Sequence, residues 1–491
     1  MLTVKDFVKA FEERDLIDIN SIKEEDLDLQ VKKISYNSQD VDEGTLFFCK
    51  GEFFKDEYLK MALEKGAIGF VYGEEYTPKD DYASSFISVK DTRLALAVSA
   101  NLFYEKVWKK MNMIGVTGTK GKTTTVYYLK SILEHAFAKK IGFLTTVDYF
   151  DGVNQEGAIL TTPETFELHH MFSKMVENGV DTCLMEVSSQ ALKYHRTAEI
   201  LYDYGAFSNI SNDHISEREH PDFEDYFSSK LMLMSQCKKA VVNLDIERSL
   251  RDRILEKAPD AITYGMKEGD YTAKNVTSNL DGVSFTLVSP KGEIHVHMPM
   301  IGEFNISNAL CASAIALDMG AGLEDVKEGL KNIFVPGRMN VKYDKERDVF
   351  GIVDFAHNKV SMEALIDTIV ELKPGAKYTF VYGCRGGKAV NRKRECTEVA
   401  QTIAHRIILT ENDPGPEDNL AILNELKSYI TNEDIEVVII EDREEAIHYA
   451  FETAEPGEVV MVTGKGADTV QKRGTKYFKV KTDVQIMDEC F

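Results

Sequence analysis

The chain has 491 residues, more than one ordinary hydrophobic core can serve, so two to four domains of roughly 100–200 residues each are expected. Apolar residues make up 43% and charged residues 28%, which excludes a disordered or fibrous chain. The net charge of −23, from 81 acidic and 58 basic residues, repels nucleic acid and anionic membrane, so neither is expected as a partner.

Residues 1–105 open on a helical stretch, pass an Asp-Glu-Gly turn into the apolar run Leu46-Phe47-Phe48, and continue as the helix YLKMALEKGA and the strand IGFVY. From Asn112 the texture becomes strand–helix alternation. MIGVT reads as a buried strand, KTTTVYYLKSILEHAFA as a helix, and CLMEV, YGAFSNI and AVVNLD as further strands. Strands separated by helices of this length argue for a parallel sheet built from βαβ units. Between Tyr271 and Met300 the alternation becomes two-residue, with turns at Asp281-Gly282 and Lys291-Gly292, which predicts a short antiparallel insert. After Pro336-Gly337 the strands FGIVDFA, YTFVYG, RIILT, EVVII and VVMVTG alternate with helices again. The expected fold class is therefore α/β in three domains. A small N-terminal α/β domain spans 1–105, a central P-loop ATPase-type parallel sheet 106–336, and a C-terminal Rossmann-like doubly wound sheet 337–491.

No run approaches the ~18–20 apolar residues that a bilayer span needs. The opening MLTVKDFVKAFEERD lacks a basic start followed by an apolar run, so no signal peptide is expected. Seven cysteines without a CxxC pair read as reduced thiols of a cytoplasmic enzyme. In so acidic a chain, anionic ligands require basic side chains gathered locally. Lys120 and Lys122 form one such cluster, and Arg385, Lys388, Arg392, Lys393 and Arg394 another.

Residues 113–124 read MIGVTGTKGKTT, a strand entering a glycine-rich turn and then a helix beginning at Lys122-Thr123. Glycines let backbone N–H groups converge on phosphate oxygens, and the helix N-terminus adds positive potential. Lys122 reaches the terminal phosphates, and the Thr123 hydroxyl is suited to Mg²⁺. The glycines are Gly115, Gly118 and Gly121, with Val116 where the usual pattern has its first glycine, so this is a variant phosphate loop.

GVTGTKGKTTT resembles the ATP loop of the Mur ligases, and the likeness continues in register through TTPE (161–164), MEVSSQAL (185–192), FSNISNDHI (207–215), GEFNISNAL (302–310), VPGRMN (335–340), VDFAHN (353–358) and LTENDPGPED (409–418). MEVSS with the following His195-Arg196 and the N-terminal Tyr36-Asn37-Ser38 are most similar to the MurE type, which adds the third peptide residue to the nucleotide-linked muramyl dipeptide of bacterial cell walls. The resemblance implies a cytoplasmic, monomeric ATP- and Mg²⁺-dependent ligase of peptidoglycan precursor synthesis. Its partners would be small molecules: ATP, UDP-muramyl dipeptide and an amino acid. ATP would phosphorylate a carboxylate, and the amine would attack the acyl phosphate.

The same resemblance implies the residue roles. Lys122, Glu186, His214 and a carbamylated Lys230 would be catalytic, with Thr123, Glu186 and His214 at the metal. Gly118, Thr119, Lys120, Gly121, Lys122, Thr123 and Thr124 would bind ATP, joined by Asn305, Arg338, Asp354 and His357. Ser38, Thr161, Thr162, Ser188 and Arg196 would bind the muramyl dipeptide, and Asn412, Asp413, Gly464 and Asp468 the amino acid. On its own, a helix lysine such as Lys230 reads as a solvated tip; carbamylation requires the neutral amine, so its pKa should be depressed.

The amino-acid pocket departs from the family pattern. Diaminopimelate ligases carry Asp-Asn-Pro-Arg, whose arginine pairs the distal carboxylate. Here the stretch is Asn412-Asp413-Pro414-Gly415, and the family's Gly-Lys-Gly-His-Glu is Gly464-Lys465-Gly466-Ala467-Asp468. Loss of a carboxylate-binding arginine while acids remain favours a side chain ending in an ammonium, hence L-lysine over meso-diaminopimelate; Arg385 or Lys388 could instead replace the arginine. A Mur-fold ligase acting on another carboxylate and an inactive Mur-like binding protein are the alternatives. His295-Val296-His297 reads as a solvated strand face, and Trp108 as a packing residue.

Overall fold

Short apolar runs between amphipathic helices fold this chain as α/β throughout. The computed structural model describes residues 2–79, 82, 85–213, 215–216, 219–387 and 390–491. They form two compact units, residues 1–122 with 139–262, and residues 123–138 with 263–491.

In the first unit, strands β1 (Ile17–Asn20), β2 (Lys33–Ser35), β3 (Thr45–Phe48), β4 (Ala67–Gly73) and β5 (Phe86–Val89) form a sheet in the order β1-β5-β4-β3-β2. All four residues of β3 are buried, as expected of a central parallel strand covered on both faces. The helix Thr92–Phe103 is capped by Asp91, which accepts a hydrogen bond from the Leu94 N–H at 2.9 Å. Its buried face packs with Phe7, Phe11, Phe48 and Val71.

The second sheet of this unit contains β6 (Asn112–Thr117), β7 (Ile141–Leu144), β8 (Asp148–Phe150), β9 (Gln155–Gly157), β10 (Thr182–Glu186), β11 (Tyr202–Phe207) and β12 (Cys237–Asn243). They run in the order β12-β11-β6-β10-β7-β8-β9. Strands β12 to β7 are parallel, and β8 and β9 are added by antiparallel pairing. Because Glu186 pairs with Val116 and Phe207 with Thr117, the carboxyl ends of β10, β6 and β11 finish side by side. A parallel sheet gathers ligand-binding loops at that edge.

Strand β13 (Ile262–Tyr264) spans the division between the units. In the second unit, β14 (Thr272–Asn279), β15 (Gly282–Ser289) and β16 (Gly292–Met298) form the expected antiparallel meander. His295 and His297 lie on its exposed face, with His297 Nδ1 2.9 Å from the Ser284 hydroxyl. The helix Phe304–Asp318 is apolar nearly all round and correspondingly buried. The C-terminal sheet combines β17 (Asn340–Asp344), β18 (Val349–Asp354), β19 (Tyr378–Tyr382), β20 (Arg406–Leu409), β21 (Glu436–Ile439) and β22 (Val459–Thr463). Its order is β17-β18-β22-β19-β20-β21, parallel except for β17. Strands β23 (Val470–Arg473) and β24 (Lys476–Lys479) make a separate hairpin.

A buried ion pair links two loops of this unit. Arg443 donates from Nε and Nη2 to Asp483 at 2.7 and 2.8 Å, and its remaining donors reach the carbonyls of Thr463 and Glu411. Asp483 also accepts from the Gly466 N–H at 2.8 Å. The pair therefore clamps the two loops that follow β20 and β22. Asp483→Ala leaves a buried guanidinium unpaired and is expected to cost about 3–5 kcal/mol in urea unfolding; a loss under about 1 kcal/mol would contradict this role for the clamp.

Candidate active site

Beyond β6 the chain turns on Gly118 (φ +151°) and Gly121 (φ +78°). A Cβ on Gly118 would lie 2.0 Å from the Ser208 hydroxyl, so glycine is required there. Asn209 sets the shape of the loop. Its Oδ1 accepts from the backbone N–H of Thr119 at 3.1 Å and of Lys120 at 2.8 Å, while its Nδ2 donates to the Lys120 carbonyl at 2.9 Å. Lys122 folds back and donates to the carbonyls of Gly118 (2.9 Å) and Thr119 (3.2 Å). Phosphate oxygens are stronger acceptors for that ammonium than neutral carbonyls. Gly118→Ala is expected to weaken ATP binding roughly tenfold, a loss of about 1.4 kcal/mol, while the protein stays folded; unchanged affinity in a nucleotide titration would contradict this reading of the loop.

Lys230 lies on the helix Phe223–Leu231. It is not a solvated tip: the residue is 2% exposed, and its Nζ donates to the Gly118 carbonyl at 2.8 Å. The Tyr226 ring centre lies 4.7 Å from Lys230 Nζ, and the Tyr226 hydroxyl donates to Thr119 Oγ1 at 3.1 Å. Burial, reinforced by the neighbouring Lys122 charge, holds the Lys230 pKa well below that of an ordinary lysine, although Asp213 and Glu186 oppose the shift. The neutral amine required for carbamylation is thus favoured. Lys120 in turn is 3.1 Å from Asp213.

Glu186 ends β10 with 1% exposure. Its two oxygens accept from the Thr146 N–H at 2.7 Å and the Thr146 hydroxyl at 3.1 Å, and Thr146 Oγ1 is 3.1 Å from Thr161 Oγ1. Thr162 Oγ1 donates to the Glu186 carbonyl (2.9 Å) and accepts from the Ser188 N–H (3.1 Å). Ser188 caps the helix Ser189–Lys193. Arg196 donates to the Thr162 carbonyl at 3.2 Å and pairs with Glu164 at 2.6 Å, and Lys50 also pairs with Glu164. The Lys50 ammonium sits 4.2 Å from the Tyr36 ring centre, and Ser38, two residues on, is buried. Thr161, Thr162, Ser188 and Arg196 are therefore gathered beside Glu186. His214 and Lys388 lie outside the described residues.

In the second unit, Asn305 is buried and donates to the Ile301 carbonyl at 2.8 Å, with Asn308 Nδ2 3.5 Å from its Oδ1. Asp354 accepts from the N–H groups of Met339 (2.9 Å) and Ala356 (2.8 Å). The Arg338 guanidinium lies over the Phe355 ring at 4.3 Å, and His357 packs on the edge of the same ring. Arg338, Asp354 and His357 thus meet at the end of β18. Thr123 and Thr124 are buried in the first turn of the helix Lys122–Ala136.

The predicted amino-acid residues also converge. Asn412 is 3% exposed, its Nδ2 lying 3.2 Å from the Gly383 carbonyl and 3.4 Å from that of Gly464, and its Oδ1 has no hydrogen-bond partner among the described residues. Gly464 (φ +103°) is needed here, because a Cβ would stand 2.8 Å from Asn412 Nδ2. Asp413 accepts from Lys465 Nζ at 3.0 Å and the Lys472 N–H at 2.9 Å, and Arg385 bridges Asp413 (3.2 Å) and Asp468 (3.1 Å). Burial pushes the Asp468 carboxyl up despite Lys465 and Arg385, while Lys465 and Arg385 hold Asp413 below its usual range against the burial that opposes them. A cleft lined by His357, Cys384, Arg385, Arg392, Lys393 and Asn412 opens beside them. Of the second basic cluster, Arg385, Arg392 and Lys393 share this cleft, while Lys393 also pairs with Glu417 and Glu425, and Arg394 with Glu398.

Most of the chain is similar to known proteins. Residues 116–316 match the Mur ligase middle domain, and residues 337–466 the Mur ligase glutamate ligase domain. The UDP-N-acetylmuramoyl-L-alanyl-D-glutamate–L-lysine ligase of Enterococcus faecalis is 36% identical, covering 90% of this chain and 88% of its own. The 2,6-diaminopimelate ligase counterpart of Clostridioides difficile is 34% identical, covering 96% of this chain and 97% of its own. The chain belongs to the Mur ligase family. A solved 2,6-diaminopimelate ligase structure superimposes on this Mur ligase with a TM-score of 0.62 at 25% identity, covering 93% and 94% of the two chains. The Mur ligase is an ATP-dependent enzyme of the ligase class acting on small molecules. Among the described residues, no helix is long and apolar enough to cross a membrane.

Sequence reasoning did not single out Thr146, which grips both Glu186 oxygens, or Asn209, which shapes the phosphate loop of this Mur ligase. Asn209 lay within the quoted FSNISNDHI block, but Thr146 had only the Thr145-Thr146 pair after a strand as a signal. The Arg443–Asp483 clamp carried none, since its partners are 40 residues apart in the chain.

Proposed function

We propose that this Mur ligase adds the third amino acid to UDP-N-acetylmuramoyl-L-alanyl-D-glutamate in peptidoglycan precursor synthesis, with L-lysine favoured over meso-diaminopimelate. The γ-phosphoryl group of ATP passes to the dipeptide's terminal carboxylate, giving ADP and an acyl phosphate. The incoming amine then attacks the acyl carbon, phosphate leaves, and the nitrogen loses its proton. Lys122 neutralises charge on the phosphoryl group in flight. The Gly118–Thr124 turn cradles the nucleotide, and Asn305, Arg338, Asp354 and His357 are assigned to ATP by the family resemblance. Thr161, Thr162, Ser188 and Arg196 orient the dipeptide, with Ser38 at its uridine end. Asn412, Asp413, Gly464 and Asp468 receive the amino acid.

Mg²⁺ suits the donors available. Glu186, the Thr123 hydroxyl and a carbamate on Lys230 are all oxygen donors, the kind this ion takes, and His214 is its remaining assigned ligand. Once bound, the ion supplies charge neutralisation at the phosphates. We further propose that the three segments 1–105, 106–336 and 337–491 serve the UDP-substrate, ATP and the amino acid respectively, and that the enzyme works as a cytoplasmic monomer. Its seven free cysteines suit a reducing compartment.

The observation that carries the reading is the buried Lys230 amine held against the phosphate loop, near Lys122 and Glu186. The preference for L-lysine is supported by the two acids, Asp413 and Asp468, that Arg385 bridges, and by the buried Asn412 Oδ1, which has no partner among the described residues. Phosphate release measured with UDP-muramyl dipeptide and a panel of amino acids tests both parts. Release with L-lysine exceeding that with meso-diaminopimelate is expected. The reverse order would defeat the lysine assignment, and release only with an unrelated acid would defeat the dipeptide.

A further inference from the structure

Resting on that ligase reading, we propose that Arg385 is a built-in placeholder for the side-chain ammonium of the incoming amino acid, and thereby sets the choice among diamino acids. Two carboxylates, Asp413 and Asp468, face two cations, Lys465 and Arg385, and the two cations differ in kind. Lys465 is 2% exposed; it pairs with Asp413 at 3.0 Å, donates to the Val470 carbonyl at 2.8 Å, and stands 4.0 Å from Asp468. It is a fixed part of the fold. Arg385 is 40% exposed and spans Asp413 Oδ2 at 3.2 Å and Asp468 Oδ2 at 3.1 Å. Its guanidinium is the exposed partner, but Asp413 and Asp468 are only 16% and 15% exposed, so it leaves for water readily only when another cation takes its place.

Removing Arg385 would leave Asp413 its bonds to Lys465 and the Lys472 N–H. Asp468 would keep the longer approach of Lys465 and the more distant charge of Arg338. The acids thus hold one permanent and one exchangeable cation. Asn412 and Arg385 line the same cleft, and the buried Asn412 Oδ1 is an acceptor with no partner among the described residues. An ammonium is compact and donor-only, so it suits a place bordered by two carboxylates. An apolar side-chain end supplies no charge to replace the departing guanidinium. A carboxylate end would have to retain Arg385 as its own partner.

The test compares wild type with Arg385→Ala and Arg385→Gln, using L-lysine, L-norleucine and meso-diaminopimelate. Both variants are expected to lower the KM for L-lysine about fivefold, because the competing cation is gone. The KM values for norleucine, ATP and UDP-muramyl dipeptide should not change, which a merely structural loss would not produce. A lysine KM that is unchanged or raised would overturn the proposal; a raised value would make Arg385 a carboxylate receptor. Calorimetric titration of wild type and the Arg385→Gln variant with L-lysine, each saturated with dipeptide and a non-hydrolysable ATP analogue, reads the same exchange without turnover. Tighter binding to the variant supports the placeholder, and equal or weaker binding overturns it. Failure of wild type to release phosphate with any of the three amino acids would count against the ligase reading alone.

Discussion

Lys230→Met is expected to lower ATP-dependent phosphate release about a thousandfold, or ~4 kcal/mol of transition-state stabilisation, while leaving the fold intact. Methionine retains most of the buried stem, and the group removed is an amine that burial already disfavours in its charged form. At pH 7.5 an ordinary exposed lysine is neutral in only about one molecule per thousand. The depressed pKa of Lys230 raises that fraction greatly, and only the neutral amine can attack CO₂ to form a carbamate. Wild-type activity should therefore fall in CO₂-depleted buffer and recover with bicarbonate, whereas the variant should respond to neither. Equal activity in wild type and variant, with no bicarbonate effect, would remove the lysine from the mechanism.

Glu186→Gln is expected to cost about a hundred- to a thousandfold in rate and to raise the Mg²⁺ concentration needed for half-maximal activity. The change is isosteric. Thr146 can reorient its hydroxyl to accept from the new amide, so the hydrogen bonds at 2.7 and 3.1 Å need not be lost. What disappears is one negative charge beside Lys230 and a hard oxygen donor. Activity against Mg²⁺ concentration, measured beside a thermal unfolding curve, separates the two possible causes. A variant that unfolds early but keeps the wild-type Mg²⁺ dependence would show that Glu186 only supports the sheet edge.

These residues also show how far the sequence could be read. The phosphate loop was legible because strand, glycine turn and helix are contiguous, and its chemistry is local. The parallel sheet, the antiparallel meander and the C-terminal alternation were legible because burial imposes a period of two or a continuous apolar run on short segments. Lys230 was not legible from its own helix. FEDYFSSK carries polar residues on both sides of the stripe, and only the packing of Tyr226, Phe227 and Ser229 shows that the lysine points inward. The amino-acid pocket was half legible. The missing arginine could be seen at Gly415, but Arg385 reaches Asp468 across 83 residues of chain, and no local pattern records that approach.

The central claim is that phosphate is released from an acyl phosphate formed on the dipeptide. A heavy-oxygen label placed in the reacting carboxylate of UDP-N-acetylmuramoyl-L-alanyl-D-glutamate tests it most directly. Turnover with ATP and L-lysine should deliver one labelled oxygen per turnover into inorganic phosphate, because the carboxylate oxygen that attacked the γ-phosphorus departs with it. Phosphate free of label, with amide bonds still formed, would mean that the carboxylate never carried the phosphoryl group.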